Sequence, residues 1–531
     1  MGGTRGGLDT WTGRTALLVC CATLFLGTLD GTALTVALPT VQRDLGLSTT
    51  ELQWVASANP LVRASVTLLG GAVADRFGRR RMFRLGLAVF VAGSLLCCVA
   101  PNAAWLIALR GVQGAGGALM TPPALALIAN LFPGTAERGR ALGTWSATAG
   151  VSSAVGPLAG GLLVQVAGWR SVFVVGVVVS AVVYAGTRLL PASGGDPGRR
   201  IDGPGNLLAS AVLIGLTFAL IQGAEHGWTS AWVLGAVALA VAAAVAYTAS
   251  ARRRREPVLD PAHFRIPAIR GAVLATIIAY LALTGSSFVT MFYLQQVRGF
   301  PPLVAGVVTL PTTVGTLVLA TVCGRLLGRL HGGRLPAALG LAAITASMAL
   351  LAAVVAVDTW LPLLLAGYLL LGCGMGLVNP PSTNAAVTSL PRDRAGVASA
   401  VTSTSRQVGS NLGVAVCGAV TVAVLAHAGR PTGDLAAVAA AAPTDFAAAL
   451  AVAYGLVAAL AALGAAAAWR LFRPLSTVIS EGSPQWHSRR SGASAAAPSS
   501  PSRTSSGSSA ATSPRRESIS SSSSRGPTTT S

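Results

Sequence analysis

The chain has 531 residues, of which 52% are hydrophobic and 10% charged, against roughly 25% charged in an ordinary soluble domain. That balance excludes a water-soluble enzyme and leaves room for twelve to fourteen membrane helices at about 20 apolar residues each. All 38 basic residues are Arg, and the net charge of +21 would indicate nucleic-acid binding in a soluble protein, so their placement decides what the charge means.

Hydropathy divides the sequence into fourteen apolar spans. After a short N-terminus (1–14), the first six fall near 15–38, 52–74, 82–100, 104–130, 141–166 and 171–190. Span 1 holds Asp30 and span 2 holds Arg63. Between spans 2 and 3, Gly71-Ala72-Val73-Ala74-Asp75-Arg76-Phe77-Gly78-Arg79-Arg80 reads as a tight turn in which one acid has several Arg partners. Span 4 carries Arg110 with Gln113 three residues on, hence on the same face, among small residues that let a neighbour approach. Span 5 contains Gly156-Pro157 and Gly160, where a bend and a close-packing face are expected. A linker over 191–268 holds two further spans, 204–223 and 231–250. The last six lie near 269–296, 303–324, 337–357, 361–390, 396–427 and 444–470. They include the cavity-lining candidates Tyr293, Gln295, Gln296, Asn379 and Asn384, and a fourth intramembrane charge of interest, Arg406. From 471 to 531 the chain turns rich in Ser and Arg with few large apolar residues, a composition expected to stay disordered.

Arginine placement fixes an expected orientation. With both termini cytoplasmic, the inner loops and the span ends beside them hold 21 Arg, whereas the outer loops hold four: Arg43, Arg170, Arg298 and Arg430. The basic excess therefore reports topology and contact with anionic lipid, and no nucleic-acid partner is expected. Seven Cys sit within apolar stretches without a Cys-x-x-Cys or a His cluster, so no disulfide framework, metal or cofactor is expected.

An internal repeat organises the spans. Val155-Gly156 and Gly160 recur as Val408-Gly409 and Gly413, offset by 253, and Pro122-Pro123 recurs as Pro380-Pro381, offset by 258. The repeats run parallel, which gives a plan of six spans, two inserted, and six more. The expected fold is an all-α membrane protein with two pseudo-symmetric halves, 15–190 and 269–470.

Charges inside a bilayer are costly and point to function. Asp30 lies about 12 Å from the outer end of its span, Arg110 about 9 Å and Arg63 about 17 Å, at 1.5 Å per residue. Depth alone thus lets Asp30 meet either Arg. The pair serves either to hold helices together or to exchange a proton as burial competes with the guanidinium.

These residues together resemble the major facilitator superfamily, and within it the 14-helix drug:proton antiporters. The likeness rests on Leu29-Asp30-Gly31-Thr32, the Asp75-Arg76-Phe77-Gly78-Arg79-Arg80 turn, Arg110 with Gln113-Gly114, Gly156-Pro157 with Gly160-Gly161, Asp202 with Gly205, and Ser405-Arg406-Gln407. The resemblance implies a major facilitator fold and a proton-coupled exporter of amphipathic drugs or antibiotics in the cytoplasmic membrane, with no obligate protein partner. It implies proton coupling by Asp30 and Arg110. It assigns conformational roles to Asp75, Arg76, Gly78, Arg79, Gly156, Pro157 and Gly160. Substrate contacts would come from Arg63, Gln113, Tyr293, Gln296, Asn379, Asn384 and Arg406. A facilitator-type importer and a membrane sensor are the alternatives. The sequence departs from the family at Asn59-Pro60, usually an aromatic residue and Leu, and at Arg63, usually apolar. The added cation disfavours dicationic substrates and suits neutral or anionic amphiphiles.

Overall fold

The structure, a computed structural model, describes residues 10–132, 135–190, 194–196, 198, 201–254, 261–326, 333–357, 361–389 and 395–472. The expected tail, 471–531, lies almost wholly outside them, as do the first nine residues. Sixteen α-helices are described: α1 (Trp11–Leu45), α2 (Thr49–Phe77), α3 (Arg79–Cys98), α4 (Ala103–Leu131), α5 (Thr135–Ala167), α6 (Arg170–Gly186), α7 (Gly203–His226), α8 (Ala231–Arg253), α9 (Pro267–Phe292), α10 (Pro302–Val308), α11 (Leu310–Leu326), α12 (Arg334–Ala356), α13 (Leu361–Thr388), α14 (Ala395–His427), α15 (Leu435–Ala441) and α16 (Pro443–Leu471).

Short polar residues set the helix starts by satisfying backbone N–H groups that lack a partner in the first turn. Thr10 caps α1 and Asn102 caps α4, while Ser48 and Glu51 form a reciprocal capping box on α2. Asp202 caps α7 through the amide of Gly205, 2.9 Å away, and pairs with Arg254 just beyond α8, so one carboxylate closes the inserted hairpin. Between α2 and α3 the only non-helical residue is Gly78, at φ 97°, a backbone region that L side chains rarely adopt.

Helices α1–α6 form one bundle and α9–α14 with α16 form the other. The repeat read from sequence is a repeat of seams. Gly160 of α5 lies so close to α1 that a Cβ would sit 2.6 Å from the Cα of Ala33, and Gly413 of α14 would meet the carbonyl of Leu281 on α9 at 2.5 Å. Gly86 faces the Gly116 carbonyl between α3 and α4, and Gly340 faces that of Gly374 between α12 and α13, each at 2.8 Å from the added Cβ. These glycine pairs are offset by 254 and 258, the register of the sequence repeat.

The inserted hairpin α7–α8 lies against both bundles. Ser210 of α7 donates to the carbonyl of Ser65 on α2 at 3.4 Å, Phe218 packs on Trp54 of α2, and Thr217 accepts from Asn411 of α14. Twelve of the described helical segments are long and apolar enough to cross a membrane, which makes the chain a multi-pass membrane protein. The 29-residue α2 and α4 fall below that measure, and they carry Gln53, Asn59, Arg63, Arg110 and Gln113.

Two local features differ from expectation. The tenth span is two helices, α10 and α11, parted at Thr309 where Pro311 cannot supply a backbone N–H. The chain before α16 folds into the short α15, whose first amides are capped by Asp434. α5 is helical through Gly156-Pro157, and the break at Thr309 lies in the segment packed across from it.

Hydrogen bonds joining the two bundles gather at the face carrying the loop Gly46–Ser48. There Thr49 donates from its amide to the Gly433 carbonyl and from its hydroxyl to that of Thr432, both at 2.8 Å. Gln295, in the π-helical turn Tyr293–Val297 that ends α9, donates to the Val36 carbonyl of α1 at 2.9 Å. Deeper in, Thr313 of α11 donates to the Ser153 carbonyl of α5 at 3.3 Å. That carbonyl is available because Pro157, four residues on, has no N–H to offer it.

Candidate functional site

The intramembrane acid is the hub of a polar cluster. Asp30 is buried on α1, and its Oδ2 accepts from Arg110 Nη1 of α4 at 2.5 Å and from Asn59 Nδ2 of α2 at 3.3 Å. Its Oδ1 accepts from Gln113 Nε2 at 3.4 Å. Gln113 also takes a bond from Arg110 Nη1 at 2.8 Å on Oε1, while Nε2 donates to the Ser94 hydroxyl of α3 at 2.7 Å. One carboxylate, one guanidinium and three neutral side chains thus converge from four helices, all nearly inaccessible.

The backbone explains the convergence. Arg110 and Gln113 share a face of α4. Glycines flank them: an added Cβ on Gly114 would lie 3.2 Å from the Cα of Asn59, and one on Gly93 would lie 2.9 Å from Gln113 Cγ. Only hydrogen in those places brings α2 and α3 close enough for short polar side chains to reach the pair. Removing one partner of such a buried pair strands the other charge, at about 3–5 kcal/mol. On its other side Asp30 borders an apolar cleft lined by Leu26, Leu29 and Ala33 of α1, Ala159 and Leu163 of α5, and Val172, Val175 and Gly176 of α6.

Arg63 does not join this cluster. It sits one turn beyond Asn59 on α2, and its guanidinium lies in a slot between Gly27 of α1 and Gly117 of α4. Its Nε and Nη2 are buried without a hydrogen-bond acceptor. Arg406 on α14 is half-buried, reaches the Thr383 hydroxyl at 3.4 Å through Nη2, and leaves Nε buried without an acceptor.

The turn between α2 and α3 is built around Asp75, which accepts from Arg79 Nε at 3.0 Å and Nη2 at 2.9 Å across Gly78. Arg76 is exposed and stacks over Phe77. The backbone amide of Asp196, in the linker, donates to the Asp75 carbonyl at 2.9 Å. In α5, Gly156 lies on Thr32 of α1, Gly160 on Ala33, and the Pro157 carbonyl touches Gly306 of α10.

The remaining candidates are scattered. Tyr293 is buried and its hydroxyl accepts from Arg298 Nε at 3.1 Å; Gln295 bonds across the two bundles. Gln296 and Asn379 are half-buried and Asn384 is exposed. Sequence reasoning named Asn59 only as a departure and passed over Ser94. A serine beside Gly93 in an apolar span looks like filler until the α3–α4 crossing is known.

The family profile described as Major Facilitator Superfamily matches residues 20–414. The chain belongs to the major facilitator superfamily. This is a family of transporters, not enzymes. Within it, the chain is similar to the Methylenomycin A resistance protein of Streptomyces coelicolor, 36% identical over 395 residues, covering 74% of this chain and 83% of that protein. It is 35% identical over 422 residues to the Multidrug resistance protein Stp of Mycobacterium tuberculosis (79% and 78% covered). It is 37% identical over 415 residues to the Puromycin resistance protein pur8 of Streptomyces alboniger (77% and 82%). Among solved structures, a bacterial homolog of the human lysosomal transporter Spinster, inward-facing and unoccupied, shares the fold with a TM-score of 0.61 at 17% identity, covering 88% of this chain and 98% of that one.

Proposed function

We propose that this major facilitator protein is a proton-coupled antiporter that exports amphipathic small molecules, drugs or antibiotics, across the cytoplasmic membrane. The observation that carries the reading is the lone intramembrane carboxylate, Asp30, held by Arg110, Asn59 and Gln113 deep in the first bundle. The resistance and export functions in the names of its relatives support the direction of transport. In this reading α2 and α4, each about 43 Å long at 1.5 Å per residue, are spans too, which gives fourteen as six, two and six over 15–190, 191–268 and 269–470. Both termini are cytoplasmic, the face at Gly46–Ser48 is external, and the bundles are hydrogen-bonded to each other there.

Asp30 takes up a proton and loosens its hold on Arg110, and the bundles rock about the seams of α5. With Gly156, Pro157 and Gly160 at those seams, and Asp75, Arg76, Gly78 and Arg79 clasping the cytoplasmic turn, the same motion exposes the ligand on one side and the proton site on the other. Gln113, Gln296, Asn379, Asn384, Tyr293 and Arg406 border the path. The test is Asp30→Asn in proteoliposomes carrying an imposed pH gradient, with dansyl-norleucine and its neutral amide as probes. Probe-stimulated proton movement should fall at least a hundredfold. Movement at the wild-type rate would remove Asp30 from the coupling step.

A further inference from the structure

Both oxygens of Asp30 are engaged within its cluster, and Arg63 stands outside it. Asp30 is the one acidic residue deep within a span, and its two oxygens already accept from Arg110, Asn59 and Gln113. Among the described residues no carboxylate forms a hydrogen bond or ion pair with Arg63, and Asp30 attracts it only at longer range, from one helical turn away. A guanidinium in a bilayer without a hydrogen-bonded counter-ion is expensive and marks a site. The slot is shaped to hold this one: a Cβ on Gly27 would stand 3.0 Å from Nη1 and one on Gly117 2.7 Å from Nε, so both flanking helices offer hydrogen where a side chain would evict it. Nε and Nη2 are buried and lack acceptors, while the residue as a whole is only half-buried.

A second cation lies at the same depth. Gln53 of α2 packs on Gly418 of α14, and from that contact Arg63 is ten residues and Arg406 twelve residues toward the Gly78 face, about 15 and 18 Å along antiparallel helices. Arg406 likewise keeps a buried Nε without an acceptor and, among the described residues, meets the Thr383 hydroxyl alone through Nη2. Among the described residues, each bundle thus presents at this level a guanidinium to which no carboxylate is bonded.

We propose that the transported ligand is an amphipathic acid whose carboxylate supplies the missing counter-ion at Arg63, with Arg406 receiving it from the other bundle as the halves rock. This inference rests on the export reading above and names its substrate class. A planar fork of N–H groups pairs a carboxylate through two parallel bonds, which a neutral amide cannot reproduce.

The test uses full-length protein in proteoliposomes with two fluorescent probes of equal bulk, dansyl-norleucine and dansyl-norleucinamide, and the cation dansylcadaverine as a third. The acid should be exported with kcat/KM at least tenfold above the amide, and the cation should be the poorest. Arg63→Gln should bring the acid-to-amide ratio near one, and Arg63→Lys should leave it intermediate because charge remains and the fork is lost. A wild-type ratio of one or less overturns the proposal without any variant. So does a ratio that Arg63→Gln leaves unchanged while proton movement falls, since Arg63 would then serve Asp30 instead. Proton-coupled export of the amide but not the acid defeats this inference and leaves the antiporter standing; no export of any probe and no proton movement defeats both.

Discussion

Gln113 is the side chain that makes one cluster out of four helices. It accepts from Arg110 and donates to both Asp30 and Ser94, so its amide uses an acceptor and both donors within 3.4 Å. Replacing it with Leu removes the bond that Ser94 accepts, leaving that hydroxyl only its own bond to the Phe90 carbonyl, and takes a neutral brace from the ion pair, at about 1–3 kcal/mol for polar groups left unmade. Gln113→Leu should therefore slow proton-coupled export about tenfold in proteoliposomes; a rate within twofold of wild type would show that the brace is dispensable. Of this cluster, Asp30, Arg110 and Gln113 were legible, because a charge in an apolar span and a spacing of three on one helix face need no tertiary knowledge. Which Arg meets Asp30 was not legible from depth. The structure separates the two along α1: Arg110 reaches Asp30 itself, whereas Arg63 lies one turn away against Gly27, in the slot that Gly117 completes. Asn59 showed only as an odd residue, and its role follows from the Gly114 contact that brings α2 in.

Among elements, the seams are where small changes have large effects. At Gly160 and Gly413 an added Cβ would collide with the backbone of the partner helix, which cannot step aside. Gly31, by contrast, has nothing within 4 Å of the added atom. Overpacking of this kind costs about 1–3 kcal/mol. Gly160→Val and Gly413→Val should each lower the unfolding temperature in detergent by several degrees, while Gly31→Ala should leave it level or raise it slightly, as Ala is the better helix former. Equal loss in all three would mean that the seams are not what these glycines serve. The repeat behind this symmetry was readable because glycine at a close crossing has no substitute that fits. The break at Thr309 and the short α15 were not readable. Hydropathy averages over both, and only the Pro311 and Asp434 chemistry marks them.

For the molecule as a whole, the bonds at Thr49 and Gln295 hold the bundles together at one face. A net hydrogen bond is worth roughly 1 kcal/mol, about a fivefold change in a two-state equilibrium. Gln295→Ala should accordingly shift the ratio of closed to open forms of that face about fivefold toward open. Spin labels at Asp44 and Pro431, both exposed there, would report the distance change; an unaltered distribution would show that the bond carries no share of the closure. Exporting a monoanion against one proton would move two elementary charges per cycle, about 4.6 kcal/mol per 100 mV, twice the yield of a neutral cargo. The halves were visible in the sequence as a repeat, but the way α7 grips them was not. Because α7 is bonded to α2 on one side and α14 on the other, while α8 turns a mostly exposed flank outward, no swing of the bundles can leave the hairpin at rest. Each turnover must drag that flank through the surrounding acyl chains, so lipid viscosity and lateral tension act as a brake built into the machine.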